Sequence, residues 1–464
     1  MTRTLVAGVD SSTQQTKLVV VDAATGELVR SSALPHPDGT ELDPEHWWSA
    51  LHGVGGTRPV GASAVSIAAQ QHTTIFLDEA GASARDAILW NDPRAADAAD
   101  QLRRELGDAA WLDGTGLLPD ATHPVSKLRW LAEHEPDRAA RVHSVLLPHD
   151  WLTWRLLDRS TAPSTDRSDA SATGYWSPES GAYLPDLARH ALGHEIHSPA
   201  PRSVSSAAGT SRHGLLVAAG CGDNAATHLA LDTQPGDVVV SIGTSSTVSM
   251  RTLVATRDRR GCVDIMADSR GGFIPIVAML NGARVMTATA RMLGLTLEQF
   301  DQLAQDGDPA AHGVVFTPFL DGERNPRAPR AGGRIAGLSR AAMTPETIAR
   351  ASVLGLACAV AGALGALARL YGEPRRIYLV GGGARSAALR QSITDLSGYL
   401  TQWPEHREHA AFGAARQAAW ALSGEPPHWP ALRRAEIAPA TRRGWTDEVL
   451  RRYAQDRDEC SLDR

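Results

Sequence analysis

Two stretches of this chain, about half its length apart, repeat one pattern: an apolar strand, a bend rich in Ser and Thr, and a second strand. Residues 5–10 read as a strand, Ser11 to Thr16 as a polar turn and 17–22 as the next strand. The turn Ala23-Ala24-Thr25-Gly26 and a third strand over 27–34 follow. Residues 237–242, the turn Gly243-Thr244-Ser245-Ser246 and residues 247–252 repeat the unit. Apolar runs bounded by turn formers predict strands, and strands joined by short turns predict an antiparallel meander. Any two hairpins share this appearance; the alternative is a duplicated architecture with one hairpin per lobe. Elsewhere strands and helices alternate, which predicts an α/β class.

The chain has 464 residues, enough for two or three cores. A boundary is expected near Gly220-Cys221-Gly222. It gives a first lobe over 1–222, a second over 223–430 and a helical tail over 431–464. Residues 307–333, rich in Pro, Gly and Arg, predict a long loop. Helical periodicity covers 345–370 and 385–396, and a last helix is expected over 445–453 with Thr446 as N-cap.

Composition excludes several classes. The net charge of −6 argues against a nucleic-acid binder. Cys221, Cys262, Cys358 and Cys460 lie too far apart for a zinc or redox motif and fit a reducing compartment. Residues 353–368 carry no charge but fall short of the roughly 20 residues of a membrane span, so a buried helix is expected. The N-terminus lacks a secretory pattern. A cytoplasmic protein is expected, with no nucleic acid and no membrane as partners.

Phosphate chemistry is narrowed by what is missing. The only lysines are Lys17, after Thr16, and Lys127, after Ser126, so the Gly-Lys of a P-loop does not occur. The His-Arg-Asp of protein kinases is absent too. Gly381-Gly382-Gly383-Ala384-Arg385-Ser386 ends in Ser and misses the dinucleotide pattern. What remains are the two Ser/Thr bends, whose successive amides can form an anion nest. Asp10 ends the first strand beside one of them. A carboxylate there either forms the turn or holds Mg²⁺ through water.

Gly8-Val9-Asp10-Ser11-Ser12-Thr13-Gln14-Gln15-Thr16-Lys17 resembles the first phosphate motif of the FGGY carbohydrate kinases. The likeness continues, in order, through Gln70-Gln71-His72, Ile88-Leu89-Trp90-Asn91-Asp92, Leu147-Pro148-His149-Asp150 and Thr165-Asp166-Arg167-Ser168-Asp169-Ala170-Ser171. Beyond these come Gly222-Asp223-Asn224-Ala225-Ala226, Ser241-Ile242-Gly243-Thr244-Ser245, Phe319-Leu320-Asp321-Gly322-Glu323-Arg324 and the glycines at 381–383. Within the family the pattern is most similar to the xylulokinases, chiefly through Gln71-His72, Trp90-Asn91-Asp92 and Gly222 to Ala226.

The resemblance implies two actin-like (ribonuclease H-like) lobes with a central cleft for ATP and sugar. It implies Asp223 as general base, and Gln71, His72, Asp223 and Asn224 as sugar contacts. Thr13, Gln14, Gly243, Thr244, Gly382 and Gly383 would approach the nucleotide, and Asp10 would hold Mg²⁺ and share in catalysis. On the residues alone, an Asp after Gly also caps a helix, and both roles can hold for Asp223. The expected reaction is ATP-dependent phosphorylation of D-xylulose to the 5-phosphate. The expected partners are a sugar and ATP, with a homodimer as an admissible assembly.

Ser11-Ser12 stands where relatives carry a Gly before Thr, and Thr73, Asn325 and Phe412 replace Gly, Thr and a small residue. The segment 51–58 is short, as if a helix were trimmed. Thr73, beside the implied sugar contact, bears on which sugar is taken. Competing readings are a kinase of another ketose or polyol, a non-catalytic sugar sensor and a chaperone-like ATPase. Asp10 and Asp223 speak against a sensor, and residues 70–72 against a chaperone.

Overall fold

In the first hairpin, β1 (Leu5–Ser11) and β2 (Gln15–Asp22) are buried on nearly every residue, while β3 (Leu28–Pro35) is exposed along its length. Burial on both faces marks central strands and exposure an edge. This computed structural model describes residues 3–405, 408–440 and 444–462. The other strands of the first sheet are β4 (Ala62–Ala69), β5 (Ala207–Thr210), β6 (Leu216–Ala218) and β7 (Cys221–Gly222). The order is β5-β6-β4-β1-β2-β3, with β7 also on β4. β1 is antiparallel to β2 and parallel to β4, β4 is parallel to β6, and β5 is antiparallel to β6.

The second sheet contains β8 (Asp237–Ile242), β9 (Ser246–Met250), β10 (Phe273–Met279), β11 (Arg376–Val380), β12 (Thr401–Pro404) and β13 (Arg434–Ile437). Their order is β10-β9-β8-β11-β12-β13, and a seventh strand, Asp264–Ala267, adds to β10. β8 is antiparallel to β9 and parallel to β11, β11 is parallel to β12, and β13 closes antiparallel on β12. Both sheets therefore set a meander of three strands beside parallel strands and end on an antiparallel one, the second with Asp264–Ala267 added at its other end. That shared order settles the two hairpins as a duplicated architecture.

Two compact units result: Met1–Thr233, Leu253–Ile274 and Arg407–Ala431 form one, and Gln234–Thr252, Pro275–His406 and Leu432–Arg464 the other. The helices that bear on the site are α1 (Pro124–His134), α2 (Arg167–Ser171) and α3 (Asp223–Ala230) in the first unit. α4 (Pro345–Tyr371) and α5 (Ala387–Ser397) belong to the second, α6 (His409–Ser423) returns to the first, and α7 (Thr446–Leu462) lies in the second.

A single cut at 222/223 with a separate tail was expected; the units instead interleave. The reason is local packing. A Cβ on Gly8 would sit 2.0 Å from the Ala411 carbonyl oxygen, and one on Gly413 1.8 Å from that of Ala226. Glycine at both positions lets α6 lie directly on β1 and on α3. The tail is held likewise: Asp456 of α7 accepts from Thr317 and pairs with Arg334 at 3.2 Å. By length and composition α4 is apolar enough to cross a membrane, but 67% of its apolar stretch is buried within the protein, as a core helix requires. The loop expected over 307–333 contains a short strand, Val315–Thr317.

Candidate active site

Three parallel strands end side by side in the first unit. Asp10 of β1 and Cys221 of β7 both pair with Ala68 of the intervening β4. The chain continues from β4 into Gln70, Gln71 and His72, and from β7 into Asp223. The carboxyl ends of parallel strands are where open α/β sheets bind ligands. This register brings Asp10, Gln71, His72, Asp223 and Asn224 to one edge of one sheet.

Asp223 is the first residue of α3, after Gly222 with extended backbone. Its Oδ1 accepts from the Asn224 backbone N–H at 2.8 Å and from Asn224 Nδ2 at 3.0 Å. Asn224 Nδ2 also donates to Gln71 Oε1 at 3.0 Å, and Gln71 Nε2 donates to the Ser168 carbonyl at 3.0 Å. Three of the expected sugar contacts thus form one hydrogen-bonded group. Part of Asp223 remains open to solvent. Burial, Asp10 and Asp169 push its carboxyl up to about 8. A general base works best with a pKa near the operating pH.

Asp10 is buried and faces Lys17, its register partner on β2, with Nζ 3.8 Å from Oδ2. Lys17 is drawn more closely to Glu408, at 2.6 Å. Burial raises Asp10 to about 6, Lys17 opposing and Glu408 assisting. Asp10 Oδ1 is buried with no hydrogen-bond partner. An unengaged carboxylate oxygen in a polar setting is the donor Mg²⁺ takes, directly or through its water, so the residues present fit that ion.

The adjoining bend is tighter than expected: Ser12 N–H donates to the Gln15 carbonyl at 3.1 Å, and β2 starts at Gln15. Gln14 is exposed at its tip. The Thr13 hydroxyl accepts from Trp90 Nε1 at 2.7 Å and donates to Gln70 Oε1 at 3.3 Å.

His72 has φ of +64°. A non-glycine residue there costs about 1–3 kcal/mol and marks a site held in place by its surroundings. Its Nδ1–H donates to the Ala172 carbonyl at 2.9 Å, and its ring meets His123 edge-on at 5.0 Å. Thr73, the departure closest to this site, is fully buried, and its hydroxyl accepts from the Trp90 N–H at 3.1 Å. It fastens the two site segments together.

In the second unit the bend after β8 closes by Gly243 N–H donating to the Ser245 carbonyl at 2.9 Å, leaving Thr244 exposed at the tip. Of the glycine triplet, Gly381 has φ of +88°, and a Cβ on it would meet the Ile242 carbonyl oxygen at 2.5 Å. Gly383 is buried against Ile242 and Ala283. Gly382 is exposed, with open space at its Cα. Two glycines therefore serve the close approach of this loop to β8, and Gly382 is the one left exposed. Glu323 is structural: it accepts from the Leu280 and Arg324 N–H groups at 2.7 Å each and from Asn281 Nδ2 at 2.9 Å.

Sequence reasoning assigned no role to α2 or its neighbours. Asp166 caps α2, accepting from the Ser168 and Asp169 N–H groups. Ser168 Oγ accepts from the Gly222 N–H at 2.9 Å. Asp169 is fastened by His149, whose other nitrogen lies 3.2 Å from Asp150. The two carboxylates sit on opposite nitrogens of one imidazole, and the three residues form a buried charged cluster. Burial disfavours charge on His149, but Asp150 and Asp169 outweigh it and raise its pKa to about 10. These residues fix the Gly222 turn that aims Asp223. Their signal was in the quoted motifs, but only the fold shows where it points.

Residues 5–229 match the model for the N-terminal domain of the FGGY family of carbohydrate kinases, and residues 238–422 that for its C-terminal domain. A xylulose kinase of Streptomyces rubiginosus is 41% identical, across 99% of this chain and 95% of the relative. One of Streptomyces coelicolor is 42% identical with the same coverage. The crystal structure of a xylulose kinase from Bifidobacterium adolescentis superposes with a TM-score of 0.85 at 35% identity, covering 98% of this chain and 99% of that one.

Proposed function

The chain belongs to the FGGY family of carbohydrate kinases, and we propose that within it the chain phosphorylates D-xylulose with ATP, giving D-xylulose 5-phosphate and ADP. The observation that carries the reading is the linked group of Gln71, Asn224 and Asp223 at the ends of β4 and β7. Gln71, His72 and Asn224 hold the sugar hydroxyls. Asp223 takes the proton of the attacking hydroxyl as its oxygen bonds to the γ-phosphorus and the bond to the ADP oxygen breaks. Such proton transfer contributes about 100- to 10,000-fold in rate.

Thr13 and Gln14 in the first bend, and Gly243, Thr244 and Gly382 in the second unit, are the nucleotide contacts in this reading; Gly383, also expected there, is taken up by packing against Ile242. Asp10 would hold Mg²⁺, which when bound offsets charge on the phosphoryl oxygens. Four free cysteines, three of them buried, support a cytoplasmic location.

A coupled ADP assay over a panel of pentuloses, hexuloses and polyols tests the substrate, and preference for any compound but D-xylulose refutes it. Asp223→Ala should keep the fold and ATP binding while kcat falls at least about 100-fold; near-wild-type turnover removes Asp223 from the mechanism.

A further inference from the structure

Of 46 Lys and Arg residues in the chain only two are lysine, and both lie at this site. Lys17 faces Asp10. Lys127, in α1, is fully buried and forms no ion pair among the described residues. Its ammonium instead donates to two backbone carbonyls, that of His72 at 2.8 Å and that of Ile88 at 3.2 Å. The first belongs to the residue with left-handed backbone. The second lies two residues before Trp90 and forms an antiparallel bridge with Thr74, two residues after His72.

The other contacts of His72 converge on the same end. Thr74 Oγ1 donates to its carbonyl at 3.1 Å, and His123, which precedes α1, packs edge-on against its ring. A compact ammonium on a flexible stem can reach two carbonyls in a closed space, whereas a planar guanidinium needs room for five donors. That explains why a chain so rich in arginine keeps lysine here.

We propose that Lys127 is a positioning residue for the acceptor sugar: by binding the carbonyls of His72 and Ile88 it holds His72 in its left-handed conformation and thereby aims the imidazole at the sugar. The inference rests on the reading of His72 as a sugar contact. Lys127 does not touch the sugar in this account; it acts through the peptide of His72.

The test is steady-state kinetics of the full chain with D-xylulose and ATP. Lys127→Met keeps the length of the side chain and removes its donors. It should raise the sugar KM about tenfold or more, since displacements of about 1 Å cost up to about 100-fold, and leave the ATP KM within about twofold. In a His72→Ala background the same substitution should change the sugar KM by less than about twofold. An unchanged sugar KM in Lys127→Met, or an equal rise with and without His72, overturns the proposal. If His72→Ala alone leaves the sugar KM unaltered, the sugar role of His72 itself falls and the proposal with it. Thr74→Val, which removes the other donor to the His72 carbonyl, is the milder second variant. It should raise the sugar KM alone, and an unchanged KM there, should Lys127→Met fail to fold, also overturns the proposal.

Discussion

Gly222→Ala separates packing from backbone strain at the site. The native backbone at Gly222 has φ −65° and ψ 153°, which alanine adopts freely. By itself that change should stabilise the protein by about 0.4–1 kcal/mol through the unfolded chain. The added Cβ, however, would lie 2.6 Å from Gln71 Cδ and Nε2 and 2.7 Å from Asp169 Oδ1. Ordinary contact begins at 3.4 Å, so each neighbour must withdraw by about 0.7–0.8 Å. Gln71 is tied at both ends of its amide, to Ser168 and to Asn224, and Asp169 to His149. Withdrawal breaks at least one buried hydrogen bond, at about 1–3 kcal/mol for the group left unpaired, and overpacking adds about 1–3 kcal/mol. The net loss centres on about 3 kcal/mol, within about 1–6, or roughly 6–12 °C in Tm at the centre. Because Gln71 moves, the sugar KM should rise about tenfold with the ATP KM unchanged. Thermal melts and steady-state kinetics read both. A variant with wild-type Tm and sugar KM refutes the tight placement of Gln71 against the Asp223 turn.

With its carboxyl pushed up to about 8, Asp223, the proposed base, is mostly ionised only above that pH in the free enzyme. kcat/KM for the sugar should therefore climb about tenfold per pH unit below it and level off above; a flat profile between about pH 6 and 9 contradicts this. The stability linked to the same group has the opposite course: its folded value lies above the ordinary 3.8, so the contribution is full below about pH 4 and is lost as pH rises through about 8. Asp223→Asn should consequently raise Tm more near pH 8.5 than near pH 4.5, and equal differences refute it. In the second unit, Gly381→Ala sets a Cβ against the Ile242 carbonyl at positive φ and should lose about 2–4 kcal/mol. Gly382→Ala should keep Tm within about 2 °C while raising the ATP KM; an unchanged KM removes Gly382 from the nucleotide contacts.

The meanders and long helices were legible because each declares itself within about ten residues, through apolar runs and turn formers. The second-unit strand over 237–242 and the start of α4 fall where the pattern placed them. The interleaving of the units was not legible. It depends on Gly8 and Gly413 meeting the backbone of distant residues, and a glycine in sequence does not say what approaches it. Thr73 shows the same limit at the site. Beside an implied sugar contact it reads as a change in the pocket, but its hydroxyl faces the Trp90 N–H and its side chain is sealed from solvent. The glycine triplet divides for a like reason: residue type is shared by all three positions, and only packing against Ile242 separates Gly381 and Gly383 from Gly382.

Charge balance and position distinguish the carboxylates that hold the fold from those placed for chemistry. Asp166 is occupied by the amides of α2, Asp169 by His149, Glu323 by amides of its own loop and of residue 280, and Asp237 by Arg376 at 2.6 Å. Each is held by nearby donors or a cation, although one oxygen of Asp169 has no hydrogen-bond partner. Asp10 has less to hold it: its cation stands 3.8 Å away and is held more closely by Glu408, and one of its oxygens is unengaged. Asp223 is joined by no ion pair among the described residues and accepts from its neighbour Asn224. Both carboxyls are displaced upward, chiefly by burial, as are Asp166 and Glu323, and Asp10 adds to the shift of Asp223. Such under-neutralised groups are what a site built to receive a cation and a proton requires. Sequence motifs place Asp10 and Asp223 among many aspartates; their position at the ends of β1 and β7, beside Gln71 and Asn224, is what sets them apart.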